Sequence, residues 1–355
     1  MLIPQVAHGS SFNPNKGSES NAKLLEPCLL SGFELAKPYL ILLMMIVPLA
    51  LPFPMANATS GEMLVTSDLL LAEDHYGSIV IGEDDVSLDC GFHILSGSYS
   101  TIGIDIQNKS GVRVRNCVVM GFSIGIRLRY STLTTLENNF VERNTDGVYV
   151  TGSTHNLLDG NTANNNGIAF YLTGSSVNHL TRNTSTGDGV GYYLDSSNSN
   201  IVNRNSAIAD TNGYRLVSSN DNLLADNFGD FNNTNYSLQF SDRNTLGENL
   251  ASGPGDGFSF FASNDNIVNE NNAHDNAQAG YRLTVSHGNK IAGNWAKSNG
   301  AGFSIGTGST GNEIILNWIT GNTVGIRLCR SVIHQNDIFP NTLRGPRAFS
   351  IDSGC

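Results

Sequence analysis

A short apolar tripeptide returns along this chain with the regularity of a screw thread. Ile104-Asp-Ile, Ile126-Arg-Leu, Val148-Tyr-Val, Phe170-Tyr-Leu, Tyr192-Tyr-Leu, Tyr214-Arg-Leu, Tyr236-Ser-Leu and Phe258-Ser-Phe begin 22 residues apart. Tyr281-Arg-Leu, Phe303-Ser-Ile and Ile326-Arg-Leu follow at spacings of 23, 22 and 23. Gly precedes nine of these eleven anchors, with Ala169 and Asn235 as the exceptions. Other columns run in step. Five residues after the anchor stand Ser131, Ser153, Ser175, Ser197, Ser219, Ser241, Ser263, Ser286 and Ser331. Eight after it stand Asn156, Asn178, Asn200, Asn222, Asn244, Asn266 and Asn289. Thirteen after it stand Asn139, Asn161, Asn183, Asn205, Asn227, Asn249, Asn271 and Asn294.

Within each repeat, apolar and polar residues alternate over three to five positions, and a Gly/Asn/Ser turn then intervenes. No stretch keeps a 3.6-residue period long enough for a helix, and 38 Gly and 43 Asn in 355 residues disfavour helix interiors. Two or three short strands cannot bury a face alone, so each repeat must stack on its neighbours. The expected architecture is all-β: a single-stranded right-handed parallel β-helix of about 22-residue coils, about 11–12 of them. Stacking in register sets like side chains about 4.8 Å apart, close enough for a column of Asn amides to bond along the stack. The column from Asn139 to Asn294 is expected to face inward as such a ladder, whereas Asn220 falls in no column.

The turns NLLDGNTANNN (156–166), NLLADNFGDFNN (222–233) and NIVNENNAHDN (266–276), with DDVSLDCGFHILSG (84–97), resemble the Asn-rich, NosD-like repeats of the pectate-lyase superfold. That group is known for "carbohydrate-binding and sugar hydrolase" repeats. The resemblance spans about 80–340 and implies the fold; coils of this kind carry lyases, hydrolases, epimerases and adhesins, so it leaves the activity open. On this reading residues 59–80 form an N-terminal cap, 81–332 the β-helix and 333–355 a C-terminal cap, since open coil ends expose core and unpaired strand edges.

Before the repeats, Tyr39–Met55 is almost wholly apolar, and Ala56-Asn57-Ala58 has the small-x-small pattern of a cleaved leader. Residues 1–58 are expected to be a leader, or else an N-terminal anchor. Either places the rest outside the cytoplasm: secreted, periplasmic or on the cell surface, touching a membrane only through an uncleaved leader. Four cysteines remain after it, Cys90, Cys117, Cys329 and Cys355. In an oxidising compartment they suit two disulfides, Cys90–Cys117 clipping the first coils and Cys329–Cys355 the tail; the alternative is buried thiols. A net charge of −11 makes nucleic acid a poor partner.

Columns also define candidate sites. Tyr149, Tyr171 and Tyr193 follow their anchors directly and so point outward, bracketed by Arg127 and Arg215. They read either as a platform for sugar rings, with Arg to meet a carboxylate, or as an aromatic ladder that stiffens the sheet. Twelve residues after successive anchors stand Arg204, Asp226, Glu248 and Glu270. Stacked carboxylates need compensation, by calcium or by a raised pKa; otherwise they splay into water. The histidines share no column, and no Met/His or Cys/His run suits copper, so no metal or cofactor is expected beyond that possible calcium. The favoured reading is a non-catalytic β-helix that binds polysaccharide or other envelope material. The alternative is a lyase, hydrolase or epimerase for an acidic glycan, with Asp226, Glu248 and Glu270 beside Arg204 in a groove roofed by a loop.

Overall fold

A computed structural model describes residues 59–355; the leader expected over 1–58 lies outside them. The chain winds as a parallel β-solenoid of about 13 turns. Each full turn has one long strand and two short ones, as in Asp146–Thr151, Leu157–Asp159 and Thr162–Asn164. Strands of successive turns pair in parallel and build three sheets of 14, 12 and 14 strands. The long strands form one 14-stranded face, with Val148 opposite Phe170 and Val150 opposite Leu172. A single 3-10 turn, Arg330–Val332, is the one helical element among the described residues.

Residues 59–80, expected as a cap, already pair in the sheets, with Thr59 opposite His75 and Met63 opposite Ile79. At the other end Thr342–Arg344 and Phe349–Asp352 close the last turn. These end turns depart from the 22-residue spacing, so counting anchors finds fewer turns than the chain makes.

Every anchor is fully buried. From Phe170 to Phe303 the anchors are aromatic and stack along the axis with ring centroids 4.6–5.0 Å apart. Such a column needs space, and the facing short strand gives it: seven residues before each aromatic anchor except Tyr281, and eight before Tyr281, stands Ala163, Ser185, Ala207, Gly229, Ala251, Ala273 or Ala296. Where the anchor is aliphatic, as at Ile126, Val148 and Ile326, the same place holds Val119, Val141 and Ile319. Volume is thus conserved turn by turn, which close packing requires. The buried tyrosine hydroxyls reach main-chain carbonyls, Tyr192 donating to Asn183 O at 2.7 Å and Tyr214 to Asn205 O at 2.8 Å.

The corner between the two short strands carries the Asn column. Asn205 donates its backbone N–H and its amide Nδ2 to Asn227 Oδ1 at 3.0 and 3.1 Å, and Nδ2 also to Leu180 O at 2.9 Å. The pattern repeats from Asn139 to Asn341. From Asn139 to Asn317 the residue before each of these Asn bends the chain with positive φ, as at Arg204, Asp226, Glu248 and Glu270 (55–58°). Ladder bonds and core packing hold these non-glycine residues in a left-handed turn. The column starts in a covalent bond: Cys117 occupies its next-to-first place, donates its N–H to Asn139 Oδ1, and is disulfide-bonded to Cys90. Cys329 and Cys355 form the second disulfide, joining the last long strands to the tail.

The Asn eight after the anchor form a second ladder, Asn200 donating to Asn222 Oδ1 at 2.8 and 3.2 Å. Asn220, which sequence placed in no column, belongs to an outer ladder: its N–H bonds Asn198 Oδ1 at 2.7 Å and its Oδ1 accepts from Asp242 N–H at 2.7 Å. The column mixes Ser, Asn, Asp and His, which hid it.

Candidate functional site

The long-strand face presents Tyr149, Tyr171 and Tyr193 side by side, each half-buried. Tyr171 and Tyr193 lie 4.8 Å apart and nearly parallel (6°), and Tyr149 tilts by 50° at 5.1 Å from Tyr171. In-register strands project like side chains in parallel, so the rings cover each other's faces and offer solvent their edges and hydroxyls. This is the geometry of an aromatic ladder rather than of a flat platform. Burial, then the charge of Asp195, raises the Tyr171 phenol above its ordinary pKa, so it stays a neutral donor.

The two bracketing arginines differ. Arg127 is committed to Asp105 through two bonds of 2.9 and 2.7 Å. Arg215 stacks over Tyr193 at 5.1 Å, its Nε buried without a hydrogen-bond partner, and no carboxylate pairs with it among the described residues. A guanidinium that lies over an aromatic ring and has no carboxylate to neutralise it suits an incoming carboxylate, which would meet its terminal nitrogens because Nε is buried.

Arg204, Asp226, Glu248 and Glu270 do fall on successive coils, but on the exposed left-handed turns. Arg204 Nε is 3.8 Å from Asp226 Oδ2. The charge of Asp226, then a hydrogen bond to it, raises Glu248, with Glu270 adding to the effect. These groups share a field on an exposed turn column, and among the described residues no loop roofs them.

Three further features stand apart from these candidates. Trp295 and Trp318 stand half-exposed on the 14-stranded short-strand face. Two aromatic residues make no visible column, although their place after the ladder Asn marks them as outward. His274 Nδ1 bonds Asp275 Oδ2 at 2.9 Å at the edge of an open recess of about 550 Å3. Asp188 and Asp210 replace Asn in a third corner column and are buried together.

A family model described as periplasmic copper-binding protein (NosD) matches residues 77–237 and 202–353. A search of the curated proteins finds no match. Among solved structures, the chain is similar to a mannuronic acid specific polysaccharide family 6 lyase from human gut microbiota, at 13% identity and TM-score 0.56, over 83% of this chain and 82% of that one. It is also similar to the periplasmic alginate epimerase AlgG, at 14% identity and TM-score 0.48, over 82% and 77%. At 13% identity the likeness to the lyase speaks for the fold alone.

Copper asks for thiolate, thioether or imidazole donors gathered together. All four described cysteines are in disulfides. His75 is used inside the first turn, bonded to Thr59 Oγ1 and Gly61 O. No group of three or more His, Cys, Asp or Glu among the described residues is placed to hold a metal. The donor set of the described solenoid does not fit copper. Among the same residues, no helix is long and apolar enough to cross a membrane.

Proposed function

The chain belongs to the NosD family, and from that premise we propose that it is an exported, periplasmic β-helix that binds acidic polysaccharide of the cell envelope without transforming it. One observation carries this reading: Arg215, unpaired and stacked on Tyr193 at the end of a row of phenol hydroxyls. An extended uronate chain lying along the row would meet the guanidinium with a carboxylate and the phenols with ring hydroxyls. Binding would weaken with salt, because the contact is partly exposed.

The test is pull-down or titration with polygalacturonate and alginate. Arg215→Ala is expected to weaken binding roughly tenfold, the scale of one charge-assisted hydrogen bond. Joint replacement of Tyr149, Tyr171 and Tyr193 by Ala should abolish it. Unchanged binding in both variants would remove the site.

A second reading, a lyase, hydrolase or epimerase acting on an acidic glycan, is favoured by one observation, the raised Glu248 beside Asp226 and Arg204. It calls for new unsaturated or reducing ends, or altered uronate stereochemistry, on incubation with those polymers, with and without calcium. A Glu248→Gln protein that keeps any such activity would exclude this residue from the chemistry.

A further inference from the structure

The short-strand face carries a different kind of surface at its C-terminal end. Trp295 and Trp318 are ladder neighbours, 51% and 49% exposed. Their rings are 5.9 Å apart at 60°, so neither lies flat over the other, in contrast to Tyr171 and Tyr193. Beside Trp318 lies an open recess of about 500 Å3, with Asn269, Glu270, Leu316 and Thr342 around it.

The recess exists because of one residue. Gly293 takes the left-handed turn position that Glu270 holds one coil before and Leu316 one coil after, with φ values of 73°, 58° and 57°. A Cβ there would meet nothing within 4 Å. The missing side chain therefore leaves a notch between the side chains of Glu270 and Leu316, with an indole along one side.

The lining has one charge, Glu270, and no cation. Glu248, one coil further back, extends the same negative field. A uronate would be repelled here, whereas a neutral sugar can donate hydroxyls to the carboxylate. The Asn269 amide and the Thr342 hydroxyl have no side-chain hydrogen bonds within the described protein, so they are free to bond a ligand. Asn272, the ladder neighbour of Trp295, keeps its Oδ1 buried without a partner. Half-exposed aromatic surface, a notch and a few unengaged polar groups are what an uncharged ring with one apolar face requires.

We propose that the notch at Gly293 and Trp318 is a binding subsite for a neutral or N-acetylated pyranose chain. It is separate from the tyrosine face in residues and opposite to it in charge preference, and it stands or falls independently.

The sequence contains two tryptophans, both at this site, so tryptophan emission of the full chain reports on it alone. Cellohexaose and the hexamer of N-acetylglucosamine are titrated in turn, with hexagalacturonate as the acidic probe. A saturable change with at least one neutral probe and none with hexagalacturonate is expected. Gly293→Leu, which places at this turn the side chain that Leu316 carries in the same conformation, should weaken the response roughly tenfold or more. Trp318→Ala keeps Trp295 as reporter and should weaken it likewise; far-UV circular dichroism checks that both variants keep the coil. No change with either neutral probe overturns the proposal, as does a response that persists in folded Gly293→Leu and Trp318→Ala. Because the tyrosine row does not contribute to the signal, this titration tests only the subsite at Gly293 and Trp318; the acidic-glycan reading is tested separately by the pull-down with polygalacturonate and alginate.

Discussion

The corner between the two short strands and the corner leading into the long strand carry the same device and keep it differently. At the first, Asn follows Asn without a break from Asn139 to Asn341, every amide engaged. At the second, Asn144 donates to Asn166, but then come Asp188 and Asp210. Asn232 follows, Pro254 takes the next place, and the column resumes with Asn276, Asn299 and Asn322. An amide is donor and acceptor at once and can pass a ladder on indefinitely; a carboxylate only accepts, and a proline has neither group to give. The difference shows that the fold tolerates a patched ladder at one corner while the corner between the short strands keeps an unbroken one.

The first patch is the acid pair. Ser185 Oγ lies 2.7 Å from Asp188 Oδ2 and 2.8 Å from Asp210 Oδ2. A hydroxyl has one hydrogen, so both contacts are hydrogen bonds only when one of the acids is protonated and donates to the serine. Burial, with the charge of Asp188 adding to it, pushes Asp210 up to about 7, and burial also raises Asp188. No cation pairs with either among the described residues. A folded-state pKa of about 7 against an unfolded value near 3.8 means that the native state holds the proton more tightly. The associated stability is full below about pH 4, is lost as pH rises through about 7, and is then flat. At about 1.4 kcal/mol per pKa unit, the loss is on the order of 4 kcal/mol. Asp210→Asn restores a donor that can reach Ser185 O, as Asn205 reaches Leu180 O. It should raise stability over the wild type most at pH 8 and least at pH 4, as read by urea melts at both. Equal gains at the two pH values would show that the pair holds no proton.

Breaking the unbroken corner has the next largest effect. Asn227→Leu removes the acceptor of the Asn205 N–H and amide, and its own bonds to Val202 O and Asn249 Oδ1. Orphaned buried groups cost about 1–3 kcal/mol each where nothing replaces the bond, so a loss of about 3 kcal/mol is expected. The control at Asn220 must be read with its outer ladder in mind; Asn220→Ala gives up the bond from Asp242 N–H at a part-buried site and should cost about 1 kcal/mol. Urea midpoints that do not separate these two variants would mean that the inner column is no stronger than the outer one.

The period makes the first corner legible in the sequence. Asn205, Asn227 and Asn249 recur without interruption, and alternation sets Tyr192 inward and Tyr193 outward. What the period could not supply was orientation within the stack. Alternation sets Tyr171 and Tyr193 outside, yet nothing in their spacing says that they spend their faces on each other. The second corner was hidden because Asp188, Asp210 and Pro254 interrupt it, and a column with three foreign residues does not stand out in an Asn-rich chain. Trp295, Trp318 and the notch at Gly293 were missed for the opposite reason: they break a repeat, and a search for repeats passes over what occurs once.

The smallest predicted effect concerns the second patch. Pro254 leaves the column one amide short, and Asn235, one of the two non-Gly residues before an anchor, fills the gap from the neighbouring strand. Its Oδ1 accepts from Asn232 Nδ2 at 2.8 Å, and its own Nδ2 donates to Ser252 O at 3.0 Å, with Asn276 Oδ1 at 3.5 Å. The side chain is fully buried and spans the missing rung. Asn235→Ala keeps a Cβ, which Ala169 tolerates at the equivalent place, and removes only the amide. Asn232 Nδ2 retains Ala207 O, at 2.9 Å, so it is not left wholly unpaired. The cost should therefore sit at the low end for a buried amide, about 1–2 kcal/mol. Because each coil touches only its neighbours, the effect should stay local. Hydrogen exchange should quicken at amides 232–276, while 139–183 stay as protected as in the wild type. If protection is unchanged around Pro254, Asn235 is not a rung; if it falls everywhere, the two corners are not independent and the contrast between them does not hold.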